Sequence, residues 1–351
     1  MKVIWSRNVN DALVKGVQLL KEGGRPQPSR AGGTLEYPEP VCTVYERPLE
    51  RVLFDPVRDA NPFFHLMEAL WMLAGRRDVA WLARFNQRMA TYSDDGVVFN
   101  AAYGFRWREQ FQLAAAHGGK FGDQLTAIVR LLRSDPDSRR AVLQIWDAEA
   151  DLGVPSKDLA CNTQAMFKIR GGRLSITVSN RSNDIIWGCY GANAVQFSML
   201  LEYMAARIGV ETGQYRQVSD SFHAYDEVWP KISGIAERYD GDPYIRGEVS
   251  VYPLIAAPDA FDTDLKRWFD DPPDRLSFEQ WDREARQDAW RNPYFIRVAT
   301  PIYNAWFAYK RKDREAATKW LDRCGATDWR RAAREWLERR RLGRVEQDAR
   351  T

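Results

Sequence analysis

Two segments of period-two hydrophobicity meet at Gly171-Gly172, and nothing else in the chain restricts its fold as tightly. On one side Cys161, Ala165, Phe167 and Ile169 alternate with Asn162, Gln164, Lys168 and Arg170. On the other, Leu174, Ile176 and Val178 alternate with Ser175, Thr177 and Ser179, and the run leads into Arg181-Ser182-Asn183-Asp184. Such alternation marks strands with one buried face, and a Gly-Gly pair is a favoured two-residue hairpin turn. If residue 170 pairs with 173, counting outward sets Cys161 opposite Ser182, roughly 5 Å away across the ladder. A bulge in either strand would move that pairing by one residue. The hairpin brings a thiol beside a guanidinium and a hydroxyl, where a cation favours the thiolate and an oxyanion can bind.

A hairpin needs a core to sit on. With 351 residues, 45% of them hydrophobic and 13% aromatic, the chain can fill one large globular core or two ordinary ones. Its net charge of +3 demands no polyanionic partner. The four cysteines (Cys42, Cys161, Cys189, Cys324) show no CxxC or other metal spacing and only three histidines accompany them, so no metal is expected and a reducing, cytoplasmic setting is the natural reading. Met1 to Ser6 leads into charged sequence, and no stretch approaches the ~20 apolar residues of a membrane span. Neither a secretory leader nor a membrane partner is expected.

Helical spacing of Leu13, Val14, Val17 and Leu20, closed by Gly23-Gly24, predicts an amphipathic helix, and a polar loop carrying Arg30 follows. A β segment is expected over Val41 to Tyr45. Asn61-Pro62 then supplies an N-cap and first-turn proline for a helix to about Gly75. That helix is apolar nearly all round, hence buried, which makes Glu68 conspicuous. A second core helix is expected from Asn193 to Gly209. Irregular alternation of helices and strands around a central hairpin argues for an α+β (mixed α/β) fold over a regular βαβ array.

Beyond about residue 255 the texture changes to Asp-Pro turns, tryptophans and charged helices, without a Gly/Ser linker. It reads as a helical C-terminal region, about 255–351, elaborating a single domain that spans residues 1–351. Trp329, Ala332, Ala333, Trp336 and Leu337 share one helical face there, while Arg330, Arg331, Arg334, Arg339, Arg340 and Arg341 largely occupy the rest. A nucleic-acid-binding role for that face is a remote alternative, since Glu335 and Glu338 interrupt the charge.

The turn Asp135-Pro136-Asp137-Ser138 delivers Arg139-Arg140 at the mouth of an apolar strand, and with Arg30 and Arg181 these guanidinium forks suit a phosphate dianion. In chain order the motifs are Glu68 with Leu70-Trp71, Tyr103-Gly104 with Trp107-Arg108, the Asp135 to Arg140 turn, Cys161, Arg181-Ser182-x-Asp184-x-x-x-Gly188, and His223-x-Tyr225. Together, over roughly residues 10 to 230, they make a chain that resembles the thymidylate synthase family, including its pyrimidine-nucleotide hydroxymethylase branch. The resemblance implies a large twisted mixed sheet packed by helices, with a sheet-mediated homodimer.

It also implies roles. Cys161 would add to pyrimidine C6 and create a nucleophile at C5. Arg30, Arg181 and Ser182 would bind the nucleotide phosphate, with Arg139 and Arg140 reaching into the partner's site. Glu68 would order water and relay protons, a task that suits a carboxyl whose pKa is raised by burial. Tyr103 would polarise water near C5. His223 and Tyr225 would hold the sugar 3′-hydroxyl, and Asp184, Gly188 and Trp71 would line the folate side. Asn193 would read the base, because a carboxamide offers both a donor and an acceptor to uracil N3-H and O4. An aspartate there would lean towards cytosine, so dUMP comes first, then dCMP or CMP. Asn193 also has the type and place of an ordinary N-cap, and Cys189 to Asn193 is one residue longer than the synthase pattern, which leaves its register open.

Three departures bear on the product. Ala160-Cys161-Asn162-Thr163 replaces the synthases' Pro-Cys-His; Met89 and Tyr92 fall where synthases carry two tryptophans; and the chain ends Gln347-Asp348-Ala349-Arg350-Thr351 without their hydrophobic tail. After Cys161 has acted, the exocyclic methylene at C5 can take a hydride from the folate or the oxygen of water. Hydride transfer needs the pterin held tightly and water excluded. The expected enzyme is therefore a hydroxymethyltransferase consuming a pyrimidine nucleoside 5′-monophosphate, 5,10-methylenetetrahydrofolate and water. A reductive synthase making dTMP is the alternative.

Overall fold

The computed structural model describes residues 1–30, 32–111, 113–114, 120–273, 276–287 and 289–348. Residues 349–351, the last of the tail noted above, lie outside them. The chain divides into two compact units, Met1–Arg51 with Glu68–Asp240, and Val52–Met67 with Gly241–Thr351.

The first unit is built on a mixed sheet of eight strands: β1 (Lys2–Ser6), β2 (Arg25–Ser29), β3 (Gly32–Tyr37), β4 (Val41–Tyr45), β5 (Val142–Gln144), β6 (Asn162–Arg170), β7 (Arg173–Asp184) and β8 (Glu211–Tyr225). The order is β1-β4-β8-β7-β6-β5, with β3 bonded to β8 and β2 to β3. The long β8 lies parallel to β7 on one side, and on the other it pairs with β4 through Tyr215–Ser219 and with β3 through Phe222–Tyr225. Helices α1 (Val9–Gly23), α2 (Pro62–Leu73), α3 (Gln124–Ser134) and α4 (Asn193–Ile208) accompany the sheet, and α1 and α4 pack on its strands. Their ends follow the sequence signals. Asn61 Oδ1 accepts the Phe64 N–H at 3.1 Å to start α2, and Gly209, at φ +93°, ends α4 in the left-handed conformation.

At the central hairpin Gly171 and Gly172 take φ of +56° and +73°, a backbone that glycine adopts without steric cost, and Arg170 pairs with Arg173. The register runs unbroken from there to Gln164↔Ser179 and then slips to Asn162↔Asn180, leaving Thr163 as an extra residue. Cys161 therefore stands opposite Arg181, not Ser182, and the Arg181 N–H donates to the Cys161 carbonyl at 2.9 Å. The bulge has a local cause: the Thr163 carbonyl turns toward β5's end and accepts the N–H groups of both Ile145 (3.0 Å) and Trp146 (2.8 Å).

The residues flanking Arg30 differ from expectation. The segment read as a polar loop is the β2–β3 hairpin, and Arg30 occupies its turn just before Ala31, which lies outside the described residues. Arg139 and Arg140 follow the Asp135–Ser138 turn, closed by the Ser138 N–H on the Asp135 carbonyl at 3.1 Å. Because β5 runs antiparallel to β6 with Val142 opposite Met166, these arginines lie level with the hairpin's turn, where Asp137 meets Arg170 at 3.9 Å. At ~3.3 Å per residue that is roughly 25 Å along β6 from Cys161. Within one chain they stand apart from Arg30 and Arg181.

The second unit is helical: α5 (Phe261–Asp270), α6 (Phe278–Arg286), α7 (Thr300–Lys310), α8 (Arg314–Asp322) and α9 (Thr327–Asp348). Phe63, Trp306 and Trp336 form an aromatic cluster with ring centroids 5.4–5.8 Å apart. On α9 the buried face carries Trp329, Ala332, Ala333, Trp336 and Leu337. Four of the arginines opposite are ion-paired, Arg331 with Glu248 and Glu335, Arg334 with Asp322, Arg339 and Arg340 with Asp59, and Arg330 donates to the Cys324 carbonyl at 3.4 Å. Guanidiniums paired in this way offer less to a polyanion, which counts against nucleic-acid binding through them. No helix among the described residues is long and apolar enough to cross a membrane.

Candidate active site around Cys161

Cys161 is the one partly exposed cysteine among the four, the others being buried, and all four are free thiols. The loop that carries it is held from beneath by a fully buried ion pair between Arg106 and Asp151. Arg106 Nη1 also donates to the Ile145 carbonyl at 2.8 Å, and Asp151 Oδ1 accepts the Ala160 N–H at 3.4 Å. From the other side Tyr103 presents its hydroxyl to the Cys161 N–H at 3.3 Å. Gly104 lets that tyrosine sit so close to α2, since a Cβ there would run into the Met72 carbonyl.

Arg181 projects beside the cysteine: its Nε donates to the Ala160 carbonyl at 2.8 Å and its guanidinium lies 5.5 Å from the Trp146 ring centroid. Arg30 reaches in from the β2–β3 turn and donates to the Ser156 carbonyl at 3.2 Å. The neighbouring cations favour the Cys161 thiolate, as expected, but they are not the largest influence on it. Burial pushes the thiol's pKa up, and the pull of Arg181 and Arg30, opposed by Asp158, does not outweigh it.

The strand ends bring the polar residues together. In the parallel β7–β8 register Ser182 lies level with Ser221 and Asp184 with His223. His223 is buried, its Nδ1 is 3.0 Å from Ser221 Oγ, and its ring meets Tyr225 edge-on at 5.5 Å. Burial, then the charges of Asp184 and Cys161, raise the Tyr225 pKa, while Arg30 lowers it. Tyr225, Asp184, Cys161 and Arg30 thus share one electrostatic neighbourhood. Asp184 caps the turn after β7 by accepting the Ile186 (2.9 Å) and Trp187 (2.6 Å) N–H groups.

Beside them lies a cleft of about 210 Å³ lined by Glu68, Trp71, Tyr103, Asp158, Asn193 and Gln196, with apolar walls from Met72, Leu82, Met89 and Phe99. Glu68 meets no arginine there; its carboxylate accepts from Gln196 Nε2 at 2.7 Å, and burial pushes its pKa to about 7. Trp71 stands edge-on to Phe99 at 5.8 Å and donates its indole N–H to Asp78 at 3.1 Å. Among the described residues no group of three or more His, Cys, Asp or Glu is placed to hold a metal ion.

Asn193 is not an N-cap. Its backbone is already helical, and its side chain turns inward to a cluster of carboxamides. Asn193 Nδ2 donates to Asn183 Oδ1 (3.2 Å) and Gln217 Oε1 (3.4 Å), and Asn193 Oδ1 accepts from Asn162 Nδ2 (3.4 Å). Gly188 abuts the same cluster, where a Cβ would lie 2.8 Å from Asn183 Oδ1. Asn162, noted in the sequence only for replacing a histidine, is therefore coupled directly to Asn193.

Sequence reasoning did not single out Gln196, Asp158, Asn183 or Gln217. Spacing could have flagged Gln196, three residues after Asn193 on an otherwise apolar helix face. Asn183 was the unassigned position of the Arg-Ser-x-Asp run. Gln217, on a distant strand, carries no local signal.

A model of the thymidylate synthase family matches residues 60–249. Over 97% of its length the chain is 48% identical to the deoxyuridylate hydroxymethyltransferase of Pseudomonas phage M6, of which it covers 95%. It is 42% identical over 64% of its length to the protein of the same name in Bacillus phage SP01, covering 58% of that protein. A putative thymidylate synthase of Methanosarcina acetivorans is 27% identical over 67% of this chain and 95% of its own.

Proposed function

The chain belongs to the thymidylate synthase family, and from that premise we propose that it converts dUMP, 5,10-methylenetetrahydrofolate and water into 5-hydroxymethyl-dUMP and tetrahydrofolate. The observation that carries this reading is the buried carboxyl of Glu68, bonded to Gln196 in the same cleft as Tyr103 and Asn193 and next to the Cys161 loop, where burial pushes its pKa to about 7. The names of the phage relatives point the same way.

The residues divide the work by chemistry. Arg30, Arg181 and Ser182 receive the 5′-phosphate, and His223 with Tyr225 holds the sugar hydroxyl. Asn193 reads uracil by exchanging its long bonds to neighbouring carboxamides for bonds to the base. The Cys161 thiol loses its proton as the nucleotide docks, and its sulfur adds to C6, making C5 nucleophilic. The folate supplies a one-carbon unit at the oxidation level of formaldehyde and leaves as tetrahydrofolate. Trp71, Leu82, Met89 and Phe99 give the cleft apolar walls that suit a pterin ring, and Asp184 and Gly188 are assigned to the folate as well. The C5 proton departs, it and the thiol's proton being matched by the two that the folate nitrogens take up on release, and an exocyclic methylene remains. Glu68 then takes a proton from water as the water oxygen bonds to that carbon, and the electron pair released at C5 expels Cys161 from C6. No net oxidation or reduction occurs.

The family's homodimer completes the site in this reading. Arg139 and Arg140, exposed at the far end of β6, serve the partner's phosphate, and the polar face of the sheet around Ser175, Thr177 and Arg216 forms the interface.

Incubation with dUMP and methylenetetrahydrofolate, followed by mass spectrometry, is expected to give the hydroxymethyl nucleotide with no rise in dihydrofolate absorbance. A stoichiometric rise would make the enzyme a reductive synthase. Asn193→Asp is expected to raise the ratio of dCMP to dUMP turnover at least ~10²-fold, because a site built to bond one base edge strongly rejects the other. An unchanged ratio would remove Asn193 from base recognition.

A further inference from the structure

Gln196 lies one helical turn beyond Asn193 on the same face of α4 and is buried. Its amide is used on one side only. Nε2 donates to Glu68 Oε2 at 2.7 Å, whereas Oε1 is buried in the protein and has no hydrogen-bond partner among the described residues. Both side chains line the same cleft. Buried acceptors left in this state are rare, and in a substrate-binding cleft a bound donor is the natural partner.

We propose that Gln196 is a positioning residue for the water that attacks the C5 methylene. Its N–H fixes the Glu68 carboxylate, and its Oε1 accepts one O–H of the water while Glu68 accepts the other. With both protons engaged, the water's lone pairs are left to the methylene carbon. The C–O bond forms, the proton on the Glu68 side passes to that carboxylate, and the electron pair moves to C5 and then expels Cys161 sulfur from C6. Gln196 is unchanged at the end. The inference rests on the hydroxymethylation reading. Its bond to Glu68 also lowers a carboxyl pKa that burial raises, so its removal has a signature that loss of packing alone lacks.

The test uses the full-length protein, dUMP tritiated at C5 and methylenetetrahydrofolate, in single turnover with enzyme in excess. Tritium leaves before water adds, so the two steps are read separately. In Gln196→Met, which keeps the volume and removes both amide functions, tritium release should continue at close to the wild-type rate. Formation of the hydroxymethyl nucleotide should slow about 10²-fold, the usual cost of losing one oriented polar contact at a reacting centre. The acid limb of its kcat/KM profile should move to higher pH. Gln196→Glu, which keeps an acceptor and loses the donor, serves if the methionine variant does not fold, and should separate the two steps in the same sense. Equal slowing of both steps, or no slowing of product formation, would overturn the proposal. If the wild-type enzyme yields only dTMP, the hydroxymethylation reading falls and Gln196's role falls with it; wild-type hydroxymethylation with an unaffected variant sinks Gln196 alone.

Discussion

Cys161→Ala is expected to abolish turnover and to stop exchange of C5 tritium from dUMP, with residual activity at least ~10⁴-fold below wild type. In the proposed mechanism the sulfur makes the covalent bond by which C5 becomes nucleophilic, and the other cysteines are buried. The loop should survive the change. Its supports are the Arg106–Asp151 pair, the Tyr103 hydroxyl on the backbone N–H and the Arg181 N–H on the carbonyl, none of which uses the thiol. Persistent tritium exchange would refute the assignment. The same variant tests the dimer. Mixed and re-equilibrated with an Arg139→Ala/Arg140→Ala double variant, it should recover about a quarter of wild-type activity, because half the dimers then hold one site with both an intact cysteine and intact partner arginines. No recovery would confine the arginines to their own chain.

Glu68→Gln is expected to lower kcat by ~10²–10⁴-fold, the range for a positioned acid–base group, and to erase a pH limb. With its pKa near 7, Glu68 is a base only above neutrality, so wild-type kcat/KM should fall as pH drops through about 7. Stability should move oppositely. The folded pKa lies above the ordinary carboxyl value, so folding favours the protonated form; the stability it contributes is full below pH 4.5 and is lost as pH rises through about 7. Glu68→Gln, which cannot ionise, should therefore be more stable to denaturant than wild type at pH 8, by on the order of 3 kcal/mol, and not at pH 4. A variant that loses activity without gaining stability at pH 8 would show that Glu68 is not held against ionisation.

Much of this site could be read before the structure, and the failures share a cause. The hairpin turn at Gly171-Gly172, the buried helix around Glu68, the strand at Val41–Tyr45 and the helix closed by Gly209 rest on local signals: period, caps and glycine. The pairing of Cys161 with Ser182 failed because a bulge is set by what the extra residue's carbonyl meets, here two N–H groups on a different segment. The residues before Arg30 were read as loop because two prolines and a serine in β2 carry almost no strand pattern, and only pairing with β3 makes that segment extended, while Arg30 itself lies in the turn. The N-cap alternative for Asn193 failed for a similar reason. Residue type suits a cap, but three carboxamides from β6, β7 and β8 drew the side chain inward.

The sequence by itself determined the hairpin, the order of motifs and the residue types at the site, because alternation, turn chemistry and spacing act over a few neighbours. The tertiary structure alone decided the state of those residues. Burial outweighs Arg181 at Cys161, raises Glu68 toward neutrality, and leaves Gln196 with one amide function bonded and the other buried without a partner among the described residues. Desolvation and hydrogen bonding depend on what surrounds a group in three dimensions, and residues 128 positions apart, Glu68 and Gln196, become partners only when α2 and α4 face one cleft.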